Sequence, residues 1–257
     1  MFLNSRTKAI CLTALVATLV ALGTVAYANH SWGPYHWARA ANPFTLKLGD
    51  NVGTIWDGHL AFASTDWSAS STLDTTVVAG QARANCRATK GRVEVCNKTY
   101  GFNGWLGVAS IWINSTNHIT QGTVKLNDTY FNTATYNTPA WRQFVMCQEV
   151  GHTFGLDHQN EIFGNTNLGS CMDYTNDPSG VLYSQLSNEH PNVHDYGQLD
   201  LMYAHLDSGT TVGQAITNNN GKSEVDDDVD NTGRRHTRHE RDLGNGEKLV
   251  TFILWTD

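Results

Sequence analysis

Short apolar stretches in the first half of the chain predict β-strands. Most of them alternate with polar residues, whereas residues 107–113 form a nearly continuous apolar run, which is typical of a strand buried on both faces. The predicted strands are 44–48, two short arms within 82–95 around a turn at 89–91, 107–113 and 123–126. Residues 60–73 carry only a weak helical period.

A clear helical period follows in the second half. Thr138 suits the N-cap and Pro139 suits the first helical position. Apolar residues then recur at helical spacing, and we expect the helix to end near Gly155, because glycine tolerates a left-handed C-terminal conformation. A second helix is predicted over 195–205 and a last strand over 248–255.

The N-terminus has the three regions of a secretory signal peptide. Arg6 and Lys8 precede an apolar run over 9–25, and the small-x-small tripeptide Ala26-Tyr27-Ala28 follows. The alternative is a membrane anchor, because the run is nearly long enough to span a bilayer. The cleavage tripeptide favours removal of residues 1–28, and no later stretch is apolar enough to cross a membrane. We therefore expect a secreted protein.

Charge and composition divide the remaining chain. The net charge is −7, from 17 basic and 24 acidic residues, and loss of the signal would leave 15 basic residues against the same 24. An acidic balance argues against nucleic acid or an anionic membrane as the main partner. Residues 208–243 are polar, with an acidic run beside a basic one, which predicts a solvated, flexible tail. We expect a domain over 29–207 and a tail over 208–257 that ends in a strand.

Four cysteines remain once Cys11 in the signal is set aside: Cys86, Cys96, Cys147 and Cys171. An even number in an exported chain predicts two disulfides, with three possible connectivities. A bond between Cys86 and Cys96 would close the hairpin predicted around residues 89–91.

The segment 148–158, Gln-Glu-Val-Gly-His-Thr-Phe-Gly-Leu-Asp-His, carries the candidate chemistry. Residues four apart on a helix project to the same side, so Gln148 and His152 face one point. Glu149 is one step around the helix, and the turn at Gly155 lets His158 return to that point. Three ligands, one open position for water and one carboxylate to accept a proton are what a catalytic zinc needs.

This segment resembles the metzincin signature H-E-x-x-H-x-x-G-x-x-H and matches every fixed position except the first. A Met-turn is the second mark of that family, and Ser170-Cys171-Met172-Asp173-Tyr174 resembles it. The helix after Asp195 is similar to the last helix of the matrixin branch. The resemblance covers residues 44–206, although its specific part is only about 30 residues long.

The resemblance implies an α+β zincin domain with a twisted mixed sheet, an active-site helix, a Met-turn and a C-terminal helix. It implies a zinc endopeptidase in which Gln148, His152 and His158 bind one zinc ion and Glu149 is the general base. Tyr174 would stabilise the oxyanion. It further implies a protein or peptide substrate and a Cys147–Cys171 disulfide, because the helix and the Met-turn meet below the metal in this family. We expect a monomer.

Gln148 stands where the family has its first zinc histidine. Its amide oxygen reaches as far as an imidazole Nε2 but is a weaker zinc ligand. This departure leaves open an inactive secreted binding protein with a metzincin fold. Other ligands remain open as well: a Cys147 thiolate, which the helical rotation disfavours, or His118, His190 or His194. The acidic loops are also compatible with structural calcium.

Overall fold

The computed structural model describes residues 30–81, 85–213 and 237–256. The predicted signal peptide lies outside the described residues, as does much of the predicted tail, over 214–236. In the described ranges no helix combines the length and apolarity that a membrane span requires.

An eight-stranded mixed sheet forms the centre of the protein. The strand order is β3-β2-β4-β6-β5-β8-β7, and the short β1 pairs with β6 outside this path. Strands β2, β3, β4 and β6 run parallel, whereas β5, β8 and β7 are antiparallel to their neighbours. The strands are β1 His36–Trp37, β2 Phe44–Asn51, β3 Leu73–Ala79, β4 Val93–Lys98, β5 Trp105–Ile113, β6 His118–Asn127, β7 Arg238–Gly244 and β8 Glu247–Trp255.

Four helices lie within the described ranges: α1 Thr54–Trp67, α2 Asp128–Phe131, α3 Pro139–His152 and α4 Val193–Met202. Helix α3 starts as expected, since the Thr138 hydroxyl accepts a hydrogen bond from the amide of Trp141 at 3.2 Å. Helix α4 starts two residues before the predicted position because Asn192 and Asp195 form a reciprocal capping box.

The main core lies where α1 and α3 pack on each other and on the sheet. Helix α3 is buried from Trp141 to His152, far beyond the single apolar stripe of a surface helix. Trp67 of α1 packs against α3 and donates its indole N–H to the carbonyl of Cys147 at 3.1 Å. The segment that carries the candidate ligands is therefore anchored deep in the protein.

Three expectations about the strands were wrong. Residues 85–92, the described part of the segment before Val93, form no strand. Cys86 lies in a turn with a φ of 52°, and β4 pairs with the parallel strands β2 and β6 and not with a hairpin partner. The family resemblance also makes residues 122–126 an edge-strand candidate, but β6 is not at an edge, since it pairs with β4 on one side and with β5 on the other.

The third concerns residues 238–243 of the predicted flexible tail, whose stretch over 214–236 lies outside the described residues. Residues 238–244 form β7, which pairs with β8 through a turn in which Gly244, Asn245 and Gly246 all have positive φ. The charged residues of β7 are compatible with a strand because they lie on the exposed outer edge of the sheet.

Candidate active site

Helix α3 ends at His152, and the chain reverses through Gly155. Gly155 has a φ of 102°, and a Cβ at this position would collide with the carbonyl oxygen of Tyr35. Glycine is required here for both reasons. The reversal brings His158 back against the helix terminus, as the sequence predicted.

The two imidazoles meet through their Nε2 atoms, which are 2.9 Å apart. Each Nδ1 is engaged on the other side: that of His152 with the carbonyl oxygen of Leu156 at 2.8 Å, and that of His158 with Glu161 Oε1 at 2.9 Å. A carbonyl and a carboxylate only accept, so in the neutral rings each Nδ1 donates its proton and each Nε2 presents a lone pair. Two facing lone pairs repel unless a cation lies between them.

Gln148 and Glu149 are both completely buried. Neither polar atom of the Gln148 side chain has a hydrogen-bond partner among the described residues. The carboxylate of Glu149 faces the backbone amide of Ala109. Burial raises the pKa of Glu149 well above its usual range. Burial, together with the neighbouring His158, lowers the pKa of His152 well below its usual range. Buried polar groups without partners need an explanation, and a bound ion is one.

Residues 170–174, the predicted Met-turn, lie directly under α3. A Cβ built on Gly151 would be 2.7 Å from Met172 Sδ, so the sulfur packs against the helix one residue before His152. The Cys147–Cys171 disulfide joins the same helix to the same turn, and a second disulfide joins Cys86 to Cys96. These are the two pairs expected from the sequence.

Tyr174 stands beside His158, with the ring centroids 4.5 Å apart. Burial raises the pKa of its hydroxyl well above the usual range, so it is a neutral donor. The hydroxyl donates to the main-chain carbonyl of Ile253 in β8, with 3.4 Å between the oxygens.

The donor set fits a zinc ion. His152 and His158 supply imidazole nitrogens, and Gln148 lies one helical turn before His152 on the same face of α3. Glu161 orients His158 in the way that carboxylates orient zinc-bound histidines. The candidate catalytic ligands therefore comprise two imidazoles and one amide, which is a weaker set than three imidazoles.

Strand β8 covers this site. It pairs with β5 from Trp105↔Trp255 to Ile113↔Lys248. Phe252 of β8 stacks on the imidazole of His152, with centroids 4.6 Å apart and 12° between the ring planes. Trp32 packs edge-on against both Phe252 and His152. The completely buried state of Glu149 follows from this cover.

Sequence reasoning missed Trp32, Glu161 and Phe252. Glu161 follows His158 by three residues, so its proximity was readable from the motif. Trp32 and Phe252 reach the site from the two ends of the chain, and no local pattern indicates such contacts.

The other histidines considered as replacement ligands have partners elsewhere. His190 Nδ1 is 2.7 Å from Asp66, His194 stacks on His30, and His118 Nε2 is 3.2 Å from Asp207. Cys147 is in a disulfide and so is not a thiolate ligand.

Comparison with known proteins adds little. No model of a protein family matches the chain, and no curated protein matches it. Among solved structures, the chain is similar to high choriolytic enzyme 1, a hatching enzyme zinc-protease from Oryzias latipes. The identity is 12%, the match covers 66% of this chain and 94% of that one, and the TM-score is 0.36.

Proposed function

We propose that the chain is a secreted zinc-dependent endopeptidase of metzincin type. The observation that carries the proposal is the 2.9 Å approach of the Nε2 atoms of His152 and His158, both presenting lone pairs. His152, His158 and the amide oxygen of Gln148 would hold the ion. When bound, zinc would supply Lewis acidity toward a peptide carbonyl and toward water.

The residues around the ligands supply the remaining steps. Glu149 accepts a proton from the attacking water at a carboxylate oxygen and passes it to the nitrogen of the leaving amine. Its side chain lies against β5, because a Cβ on Gly107 would be 2.6 Å from Glu149 Oε1. A substrate extended along β5 would therefore place its backbone beside this base. The Tyr174 hydroxyl, which donates to a main-chain carbonyl in β8, would donate to the substrate's carbonyl oxygen as negative charge develops there.

The first test is metal content. After dialysis of the full-length proteins against metal-free buffer, the His152→Ala variant should contain one equivalent of zinc less than wild type. His190→Ala is the matched control, since His190 pairs with Asp66 and contributes nothing to this site. Equal zinc in both variants would remove the basis of the proposal.

The second test is cleavage, measured with the base changed. Glu149→Gln should keep its zinc and lose casein hydrolysis by at least about 100-fold, because the general base is a reactant. Glu189→Gln is the control. Because β8 covers the site, Glu149→Gln and Glu189→Gln are also compared in proteins that carry Val250→Asp. The buried charge at this position should weaken the packing of β8 on β5. Zinc-loaded protein that cleaves in neither background would favour the inactive binding protein, the alternative that Gln148 suggests.

A further inference from the structure

A second cluster of metal-binding side chains lies apart from the candidate active site. His36 in β1 and His118 at the start of β6 are register partners in the sheet. His205 and Asp207 follow α4 and reach the same point. Three separate parts of the chain thus contribute three imidazoles and one carboxylate.

The ligand atoms of His36, His205 and Asp207 have the spacing of a coordination shell, since all three lie within 4.8 Å of one another, and His118 lies outside this group. The Nε2 atoms of His36 and His205 are 3.1 Å apart. Asp207 Oδ1 lies 3.2 Å from His118 Nε2, 3.5 Å from His36 Nε2 and 3.6 Å from His205 Nε2. Ligands at zinc bond lengths in a tetrahedron are about 3.3 Å apart.

The protons on these groups point away from the cluster. His36 Nδ1 donates to the carbonyl of Pro34 at 2.7 Å. His118 Nδ1 is 2.9 Å from the hydroxyl of Thr116, which itself donates to Asn114 Oδ1 and so must accept from the imidazole. Asn114 Oδ1 is fixed as an acceptor, because the amides of Thr116 and His118 also donate to it. In the neutral rings, the Nε2 atoms of His36 and His118 are therefore both lone pairs.

Arg39 determines which carboxylate oxygen is left for the cluster. Its guanidinium and its backbone amide both donate to Asp207 Oδ2, at 2.8 and 3.2 Å. Only Oδ1 faces the histidines. With the rings neutral, the centre of the cluster is lined with acceptors, which is favourable around a metal ion.

We propose that His36, His205 and Asp207 bind a second zinc ion, with His118 beside the Asp207 carboxylate. Two imidazoles and a carboxylate oxygen suit zinc. The ion would fasten the N-terminal segment, which carries Trp32 to the candidate active site, to the chain after α4. The side chain of His205 is 55% exposed, so the ion can enter from solvent.

Two substitutions of equal kind and exposure test the proposal. His205→Ala removes an exposed ligand, and His190→Ala removes a histidine whose side chain is 54% exposed and which pairs with Asp66 elsewhere. Wild-type protein should hold two equivalents of zinc, His190→Ala two and His205→Ala one. Cobalt bound in the second site should give the visible absorption of a tetrahedral ion. The affinity for cobalt should be at least about 10-fold weaker in His205→Ala, because even a change in a residue that only orients a metal ligand has an effect of about this size.

Asp207→Asn provides a second variant that keeps the shape of the side chain. If zinc content and cobalt affinity are the same in wild type, His205→Ala and Asp207→Asn, the cluster is a protonated His–Asp pair only, and the proposal fails. The His152→Ala variant removes the other ion, so failure here is distinct from failure of the proposed peptidase.

A different observation carries a second inference, which rests on the proposed function. The hairpin of β7 and β8 is fastened to the walls of the site as well as to β5. The Thr237 hydroxyl, just before β7, donates to Glu161 Oε1 at 2.8 Å, the atom that also orients His158. Lys248 bridges Glu240 and the Tyr35 hydroxyl, at 2.6 and 3.2 Å.

We infer that this hairpin is an intramolecular inhibitor that occupies the substrate cleft. It pairs antiparallel with β5, stacks Phe252 on a proposed zinc ligand and engages the hydroxyl of Tyr174 with a backbone carbonyl. An extended peptide substrate would need the same edge and the same hydroxyl. Cleavage therefore requires that the hairpin leave.

A reversible lock tests this inference. Ser110 and Thr251 are register partners whose hydroxyl oxygens are 3.2 Å apart, so the double variant Ser110→Cys/Thr251→Cys should form a disulfide that holds β8 on β5. The probe is a fluorescent peptide with the sequence of residues 247–255, and binding is measured with Glu149→Gln to prevent its cleavage. Reduction should increase binding at least about 10-fold, and wild type given the same reductant is the control.

Equal binding before and after reduction would overturn the inhibitory role. In the Ser110→Cys/Thr251→Cys variant that retains Glu149, the rate of peptide cleavage should rise when the engineered disulfide is reduced. If reduction increases peptide binding but no cleavage is seen, the inhibitory role of the hairpin stands and only the proposed peptidase activity is rejected.

Discussion

The disulfide between Cys147 and Cys171 permits a quantitative prediction. Its cysteines are 24 residues apart, and loop closure of that length should contribute about 3.5 kcal/mol to the free energy of unfolding at 25 °C. The other pair, Cys86 and Cys96, is separated by 10 residues and should contribute about 2.8 kcal/mol. The two bonds are thus similar in energy and differ in what they join.

Paired alanine variants separate these two effects. Cys147→Ala/Cys171→Ala should lower the urea midpoint by about 1.8 M, given a contribution of about 3.5 kcal/mol and a urea dependence of about 2 kcal/mol per molar. Cys86→Ala/Cys96→Ala should lower it slightly less. Only the first pair connects α3 to the Met-turn, so only its loss should speed zinc release to a chelator from the site at His152.

Unfolding is followed by the fluorescence of the eight tryptophans under non-reducing conditions. Zinc release is measured at low urea, where both variants are folded. A midpoint shift below about 0.5 M for the first pair would contradict the loop-closure estimate. Equal zinc release from both variants would refute the link between this disulfide and the metal centre.

Three further substitutions test other parts of the site. Gly107→Ala would place a Cβ 2.6 Å from Glu149 Oε1, so cleavage should fall while zinc content is unchanged; a normal rate would mean that the base does not lie against β5. Glu161→Gln removes the charge that orients His158 and should weaken zinc binding by about 10- to 100-fold in a chelator titration, unless the contact is incidental. Gly58→Ala in α1 meets no atom within 4 Å and should raise stability by about 0.5–1 kcal/mol in urea unfolding, and a decrease would be contrary to the helix assignment.

The predictable parts of this protein are local in sequence. The start of α3 follows from Thr138 and Pro139, and the reversal after it follows from Gly155, because caps and glycine turns depend on a few adjacent residues. The approach of His152 and His158 could be predicted for the same reason. The hairpin and the second histidine cluster could not, since His36 and His205 meet only through the sheet and the last helix. The charges of β7 pointed toward a tail, because charge alone does not distinguish a solvated segment from an exposed edge strand.

The hairpin also changes which strand ends the sheet. Strand β5 is apolar and buried along most of its length, whereas every residue of β7 but one is exposed, and the strand carries charges of both signs. A long apolar edge invites pairing with another chain, and a short charged edge discourages it. Release of the hairpin would therefore expose the apolar edge of β5 together with the cleft. We expect the open form to be the more prone to self-association, so opening should be detectable by light scattering as well as by cleavage.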